Sequence, residues 1–158
     1  MLPVNKILCP TDFSEPSYKA LNIANEMAKQ FSAELILIHV LSPLQVFPTA
    51  TGFPTASPGG AGVFSADMLN EIREQALKSL EMTLTEKVSE EVKAASELLQ
   101  GSGAEQIAEY AEKHDVDVIV MGTHGFTGWR HLILGSVTEK VVRLSSCPVL
   151  TIPADRDQ

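Results

Sequence analysis

Val116-Asp117-Val118-Ile119-Val120-Met121-Gly122-Thr123-His124-Gly125 is the stretch on which the fold turns. Its first six residues are apolar except for Asp117, too few for a typical helix, and rich in β-branched side chains, so they read as a strand. A strand apolar on both sides must be covered on both sides, which is the condition of a parallel sheet. Leu35-Ile36-Leu37-Ile38-His39-Val40, Ile7-Leu8-Cys9 and Val149-Leu150-Thr151-Ile152 have the same character. A weaker strand is expected over 93–99, because the alternation of elements requires one there.

Helical patterns lie between these runs. Ser14 is placed to cap the first helix and Pro16 falls in its first turn, with Ala20, Leu21, Ala24, Met27, Ala28 and Phe31 forming an apolar face. A second helix starts near Asp67, with Leu69, Ile72, Ala76, Leu80, Leu84 and Val88 on one stripe. A third follows Gly101-Ser102-Gly103, where Ser102 and Glu105 have capping-box spacing and Ile107, Ala108 and Ala111 supply the core face. The fourth spans Ser136–Leu144 and is broken by Ser145-Ser146-Cys147-Pro148. Strand and helix alternate throughout. Right-handed crossovers then give a single-domain α/β fold, an open parallel five-stranded sheet with helices on both faces.

The 158 residues fit one domain, and no interior linker or repeat divides them. Residues 41–66 carry no charge but include four prolines and four glycines, which predicts a long, flexible loop. A net charge of −8 argues against a nucleic-acid face, which needs a basic stripe to displace counter-ions. No run of about 18 apolar residues is present, so no membrane insertion is expected. Cys9 and Cys147 are too few for a disulfide framework or a Cys-based metal site. They suit a reducing, cytoplasmic setting.

Ligands of open parallel sheets sit outside the carboxyl ends of the strands, where strand order reverses. That draws attention to Pro10-Thr11-Asp12, to His39-Val40-Leu41 and to the glycine-rich stretch Gly122 to Ser136. The latter, with Gly122, Gly125, Gly128 and Gly135, leads into a helix start, where free N–H groups and the dipole favour an anion. From residue 122 to 148 the chain has Arg130, Lys140 and Arg143 with His124 and His131, against one acid, Glu139. Phosphate is the expected ligand. Ser136 and Glu139 also have capping-box spacing, so Ser136 has a purely structural reading as an N-cap. Asp12 suits a ribose hydroxyl, since Ser14 already serves as the cap, and His39 reads as a hydrogen-bonded core histidine. His124 and His131 read as surface histidines. Neither the G-x-x-x-x-G-K-[ST] loop nor a G-x-G-x-x-G after the first strand is present, and no catalytic triad or metal cluster is visible.

Gly122-x2-Gly125-x9-Gly135-Ser136 resembles the G-2x-G-9x-G-[ST] signature of the universal stress protein family, in its ATP-binding branch. Ile7-Leu8-Cys9-Pro10-Thr11-Asp12-Phe13-Ser14 is similar to that family's first strand and loop, and Ile38-His39-Val40 to its second strand. The resemblance runs from about Lys6 to Pro153. It implies a Rossmann-like sheet of order 3-2-1-4-5, of the adenine nucleotide alpha-hydrolase-like kind, and homodimers through the Val149–Ile152 edge strand. It further implies ATP, with a divalent metal (Mg or Mn) on its phosphates. Carried over, Pro10, Thr11 and Asp12 face the adenosine, the backbone of Val40 reads the adenine edge, and Met121 packs near the nucleoside. Gly122, Gly125, Gly135, Ser136 and Val137 hold the phosphates, with help from Thr138. The function implied is a nucleotide-dependent regulatory or stress-response module, open to a further protein partner. A slow ATPase or phosphotransferase is the alternative, and it lacks an evident carboxylate base beside the phosphates.

Overall fold

The computed structural model describes residues 3–42, 66–123 and 135–153. Gly125, Gly128, His124, Arg130, His131 and nearly all of the predicted 41–66 loop lie outside these. The order is β1 (Lys6–Pro10), α1 (Glu15–Phe31), β2 (Glu34–Leu41), α2 (Ala66–Lys87), β3 (Ala94–Gln100), α3 (Gly103–Lys113), β4 (Val118–Gly122), α4 (Ser136–Leu144) and β5 (Val149–Ile152). All strand pairs are parallel and the sheet runs β3-β2-β1-β4-β5.

Two-sided burial explains the unbroken apolar runs. Ile7, Cys9, Leu35, Leu37, Val118 and Val120 point to one face, where Ala20, Leu21 and Ala24 of α1 and Leu80 of α2 cover them. Leu8, Ile36, Ile38, Ile119 and Met121 alternate to the other, under Ile107, Tyr110 and Ala111 of α3 and Val141 of α4. Each buried Val, Leu, Ile or Met among them contributes about 1.5–3 kcal/mol by leaving water.

Three local expectations need correction. Phe31, the last residue of α1, is 41% exposed. Of the apolar stripe of α2, Ala76 and Leu80 are buried and Leu84 and Val88 pack partly buried against the core, but Leu69 near its start is exposed. Ser102 does occupy the N-cap of α3, but its hydroxyl bonds the Glu105 carboxylate rather than a backbone N–H. That contact holds the Glu105 carboxyl below its usual range.

Ser14 caps α1 as expected: its Oγ accepts from Ser17 N at 3.4 Å. Cys9 and Cys147 are both free thiols.

Candidate functional site

A cavity of about 370 Å³ opens at the carboxyl ends of β1, β2 and β4, where the strand order turns back on itself. That is in the size range of small-molecule sites, roughly 300–1,000 Å³. Pro10, Thr11 and Asp12 reach it from the end of β1, Ile38, His39, Val40 and Ser42 from β2, and Met121 and Gly122 from β4. Ser17 of α1 and Gly103 and Ile107 of α3 add to the wall, and Gly135, Ser136, Val137 and Thr138 complete it at the start of α4.

The start of α4 is held by backbone rather than capped by a side chain. Gly135 is the N-cap, and its N–H donates to Thr123 O at 2.6 Å. Thr123 N in turn donates to Ile152 O at 2.9 Å, and the Thr138 hydroxyl to Gly122 O at 2.9 Å. Ser136 is therefore the first helical residue, not the cap, and Glu139 bonds Arg143 at 2.7 Å instead of closing a capping box. The first intrahelical donor is Glu139 N, to Gly135 O. The amides of Ser136, Val137 and Thr138 thus have no hydrogen-bond partner among the described residues, and all three residues line the cavity. Such a helix start attracts an anion.

Asp12 sits opposite in a tight turn. Its Oδ1 accepts from Ser14 N at 3.0 Å and from the Ser14 hydroxyl, while Oδ2 has no hydrogen-bond partner among the described residues. Ser14 therefore caps the helix and also orients Asp12, a link that the capping pattern alone does not reveal. His39 is half-buried and bonded through Nδ1 to Thr11 O at 2.7 Å, as a core histidine should be, yet it also lines the cavity. Cys9 lies in the core beneath, where burial pushes its thiol up to about 12 and leaves it neutral and inert.

The Universal stress protein family model matches residues 3–153. The chain belongs to this family. Universal stress protein MJ0531 of Methanocaldococcus jannaschii is 40% identical over 149 residues, which are 93% of this chain and 81% of that protein. The solved structure of protein MJ0577 from the same organism superposes with a TM-score of 0.74 at 30% identity, covering 99% of this chain and 100% of that one. At the level of fold alone, the chain also matches a universal stress protein in complex with cAMP and one from Archaeoglobus fulgidus in complex with dAMP. Their TM-scores are 0.65 and 0.59, their identities 19% and 20%, and they cover 96% and 95% of this chain and 98% of their own.

Of the residues expected from this universal stress protein pattern, the cavity brings together Pro10, Thr11, Asp12, Val40, Met121, Gly122, Gly135, Ser136, Val137 and Thr138. Gly125 lies outside the described residues. Ser17, Ile38, His39, Ser42, Gly103 and Ile107 are additions. Gly101-Ser102-Gly103 was a legible signal for one of them, since it is the exit of a strand and the entry of a helix, the same grammar that singled out the other strand ends.

Proposed function

We propose that this universal stress protein binds an adenine nucleotide, with ATP as its ligand, in the cavity at the strand ends, and works as a nucleotide-dependent regulatory or stress-response module. The observation that carries this reading is the start of α4. Three amide donors with no partner among the described residues stand on the wall of the cavity that also takes in the Asp12 carboxylate. The amides of Ser136 and Val137 suit phosphate, Gly122 and Gly135, with Gly125 of the same glycine pattern, carry no side chain to keep it from approaching, and Asp12 suits a ribose hydroxyl. Pro10, Thr11, Val40 and Met121 then surround the nucleoside. Relatives of the same fold were solved with cAMP and dAMP, which share an adenine and one phosphate.

Among the described residues, no group of three His, Cys, Asp or Glu side chains could hold a metal ion. A divalent ion, Mg or Mn, would enter this cavity with the phosphates of the nucleotide. It would screen the phosphate charge there. Asp12, already engaged by Ser14, is better suited to hold a sugar than to activate water, which favours binding over turnover.

Mass spectrometry of the nucleotide that co-purifies, followed by calorimetry with ATP, tests the assignment. Asp12→Ala should weaken ATP by about 1–3 kcal/mol, the scale of a lost charged hydrogen bond, and 2′,3′-dideoxy-ATP by less. An empty protein with no measurable affinity for ATP, ADP or AMP overturns it.

We further propose that two copies pair through β5, and that the protein works in the cytoplasm, where its two free thiols stay reduced. β5 ends the sheet with β4 as its neighbour, and Leu150 is 39% exposed.

A further inference from the structure

The register of β1 on β2 ends at Pro10↔Ile38, and the last backbone bond between the two segments runs from Thr11 N to Ile38 O at 2.8 Å. One residue further along β2, the His39 side chain takes over. Its Nδ1 lies 2.7 Å from the carbonyl oxygen of Thr11. A carbonyl only accepts, so Nδ1 carries the hydrogen and the tautomer is set by this contact. The imidazole thus extends the strand pairing by one bond after the two backbones diverge.

The segment held in this way is strained. Phe13 has φ +63, the left-handed region that a residue with a Cβ seldom adopts, and its ring lies 4.7 Å from the His39 ring. Strain of this kind persists only where the surroundings over-determine it. Here the constraints are visible. Thr11 Oγ1 accepts from Phe13 N at 3.0 Å and is 3.0 Å from Ser17 Oγ, while Ser14 N donates to Asp12 Oδ1. Asp12 sits between Thr11, gripped by β2 at both backbone groups, and Phe13, packed on the same histidine.

We propose that His39 is a positioning residue. Its Nδ1–H and its ring clasp the Thr11–Phe13 turn, and so fix the direction in which the Asp12 carboxylate meets the ligand. This rests on the adenine-nucleotide reading for its binding consequence, while the clasp itself is a property of the protein alone.

Three variants separate the clasp from mere filling of space. His39→Asn puts an amide N–H near the place of Nδ1, His39→Gln puts one near Nε2, and His39→Leu offers neither. With calorimetry against ATP, His39→Asn is expected to stay within about threefold of the parent, and Gln and Leu to lose about tenfold or more. In an Asp12→Ala background, His39→Leu should cost almost nothing further, because neighbours that act as one unit are non-additive. Without any nucleotide, amide exchange at Phe13 and Ser14 should quicken in the Gln and Leu variants and stay slow in Asn. Equal losses for Asn and Gln, unchanged affinity in a folded Leu variant, or full additivity with Asp12→Ala overturns the proposal. If the Leu variant does not fold, the Asn and Gln pair carries the test. If the parent binds no adenine nucleotide, the functional reading fails and the exchange rates decide the clasp: faster in Gln than in Asn supports it, equal rates refute it.

Discussion

The hydroxyl of Thr138 donates to the carbonyl oxygen of Gly122 across 2.9 Å, tying the first turn of α4 to the last residue of β4. The resemblance gave Thr138 a share in holding phosphate, but this hydroxyl is already committed and the residue is only 4% exposed. Its contribution is to aim the helix start. Thr138→Val keeps the shape and leaves the Gly122 carbonyl without that donor, so stability should fall by about 1–3 kcal/mol, and Thr138→Ser should recover most of it. Urea unfolding of the three proteins is the measurement. Equal stability of Val and parent would remove the strut from the account.

Ser136→Ala now separates two roles cleanly. Because Gly135 occupies the N-cap, no capping bond is lost, and stability should change by no more than about 0.5 kcal/mol. ATP affinity should fall measurably if the hydroxyl joins its own amide at the phosphate. A drop of about 1 kcal/mol in stability with intact affinity would return Ser136 to a capping role.

The strands that the sheet buries on both faces were legible because three or four successive apolar residues admit few other readings. β3 was faint for a physical reason: among the described residues it has one neighbour, β2, and Ala95, Glu97 and Gln100 face water, so its composition resembles a helix surface. Phe31 followed helical spacing faithfully, but spacing gives the face of a helix and not where its support ends. Ser136 and Glu139 matched a capping pattern that the backbone does not use, since Arg143, one turn on, takes the carboxylate. Ile107 was read as core, correctly, and the sequence had no means of showing that the first turns of that core face form a cavity wall.

Gly101 has φ +143, and a Cβ there would come within 2.9 Å of Gln106 Cγ. Its N–H donates to Leu41 O at 2.9 Å, joining the exit of β3 to the exit of β2 beside the cavity. Gln106 can swing aside, but the backbone angle cannot be relieved so simply. Gly101→Ala should therefore cost about 1 kcal/mol or more. By contrast, a Cβ at Gly103 meets Val137 at 3.7 Å, an ordinary contact, so Gly103→Ala should fold normally while narrowing the cavity. Thermal unfolding that ranks the two variants the other way would contradict this reading.

Cys9 gives a pH signature. Burial raises its folded value to about 12 from an ordinary 9.0, so between those values the folded protein holds a proton that the unfolded chain releases. The stabilisation is complete below about 9 and is lost as pH rises toward 12, amounting to about 1 kcal/mol near pH 10. Cys9→Ala should be less stable at neutral pH, because it leaves a small cavity, and should lose less as pH rises. Denaturant midpoints for both proteins from pH 7 to 10 supply the comparison. Parallel profiles would show that the thiol titrates alike in both states.

The β5 edge of the sheet is built to pair. β5 has no neighbour beyond β4 among the described residues, and its four residues, Val149 to Ile152, include neither a charge nor a proline to discourage pairing. Leu150 is 39% exposed, and Val142 and Leu144 on α4 are 46% and 52% exposed. Exposed apolar edges invite association unless something covers them. Pairing with a second copy about a two-fold axis satisfies the outward N–H and C=O groups of both strands at once and covers apolar side chains from both copies. Pro148 and Pro153 bracket the strand, which confines the pairing to this short window because proline donates no ladder bond. The protein should therefore be a dimer at micromolar concentration by light scattering. Leu150→Lys places a charge on each copy close to the two-fold and should shift the population toward monomer, with little change in circular dichroism. A monomeric parent would rule out β5 pairing. A dimer unaffected by Leu150→Lys would move the interface elsewhere on the surface.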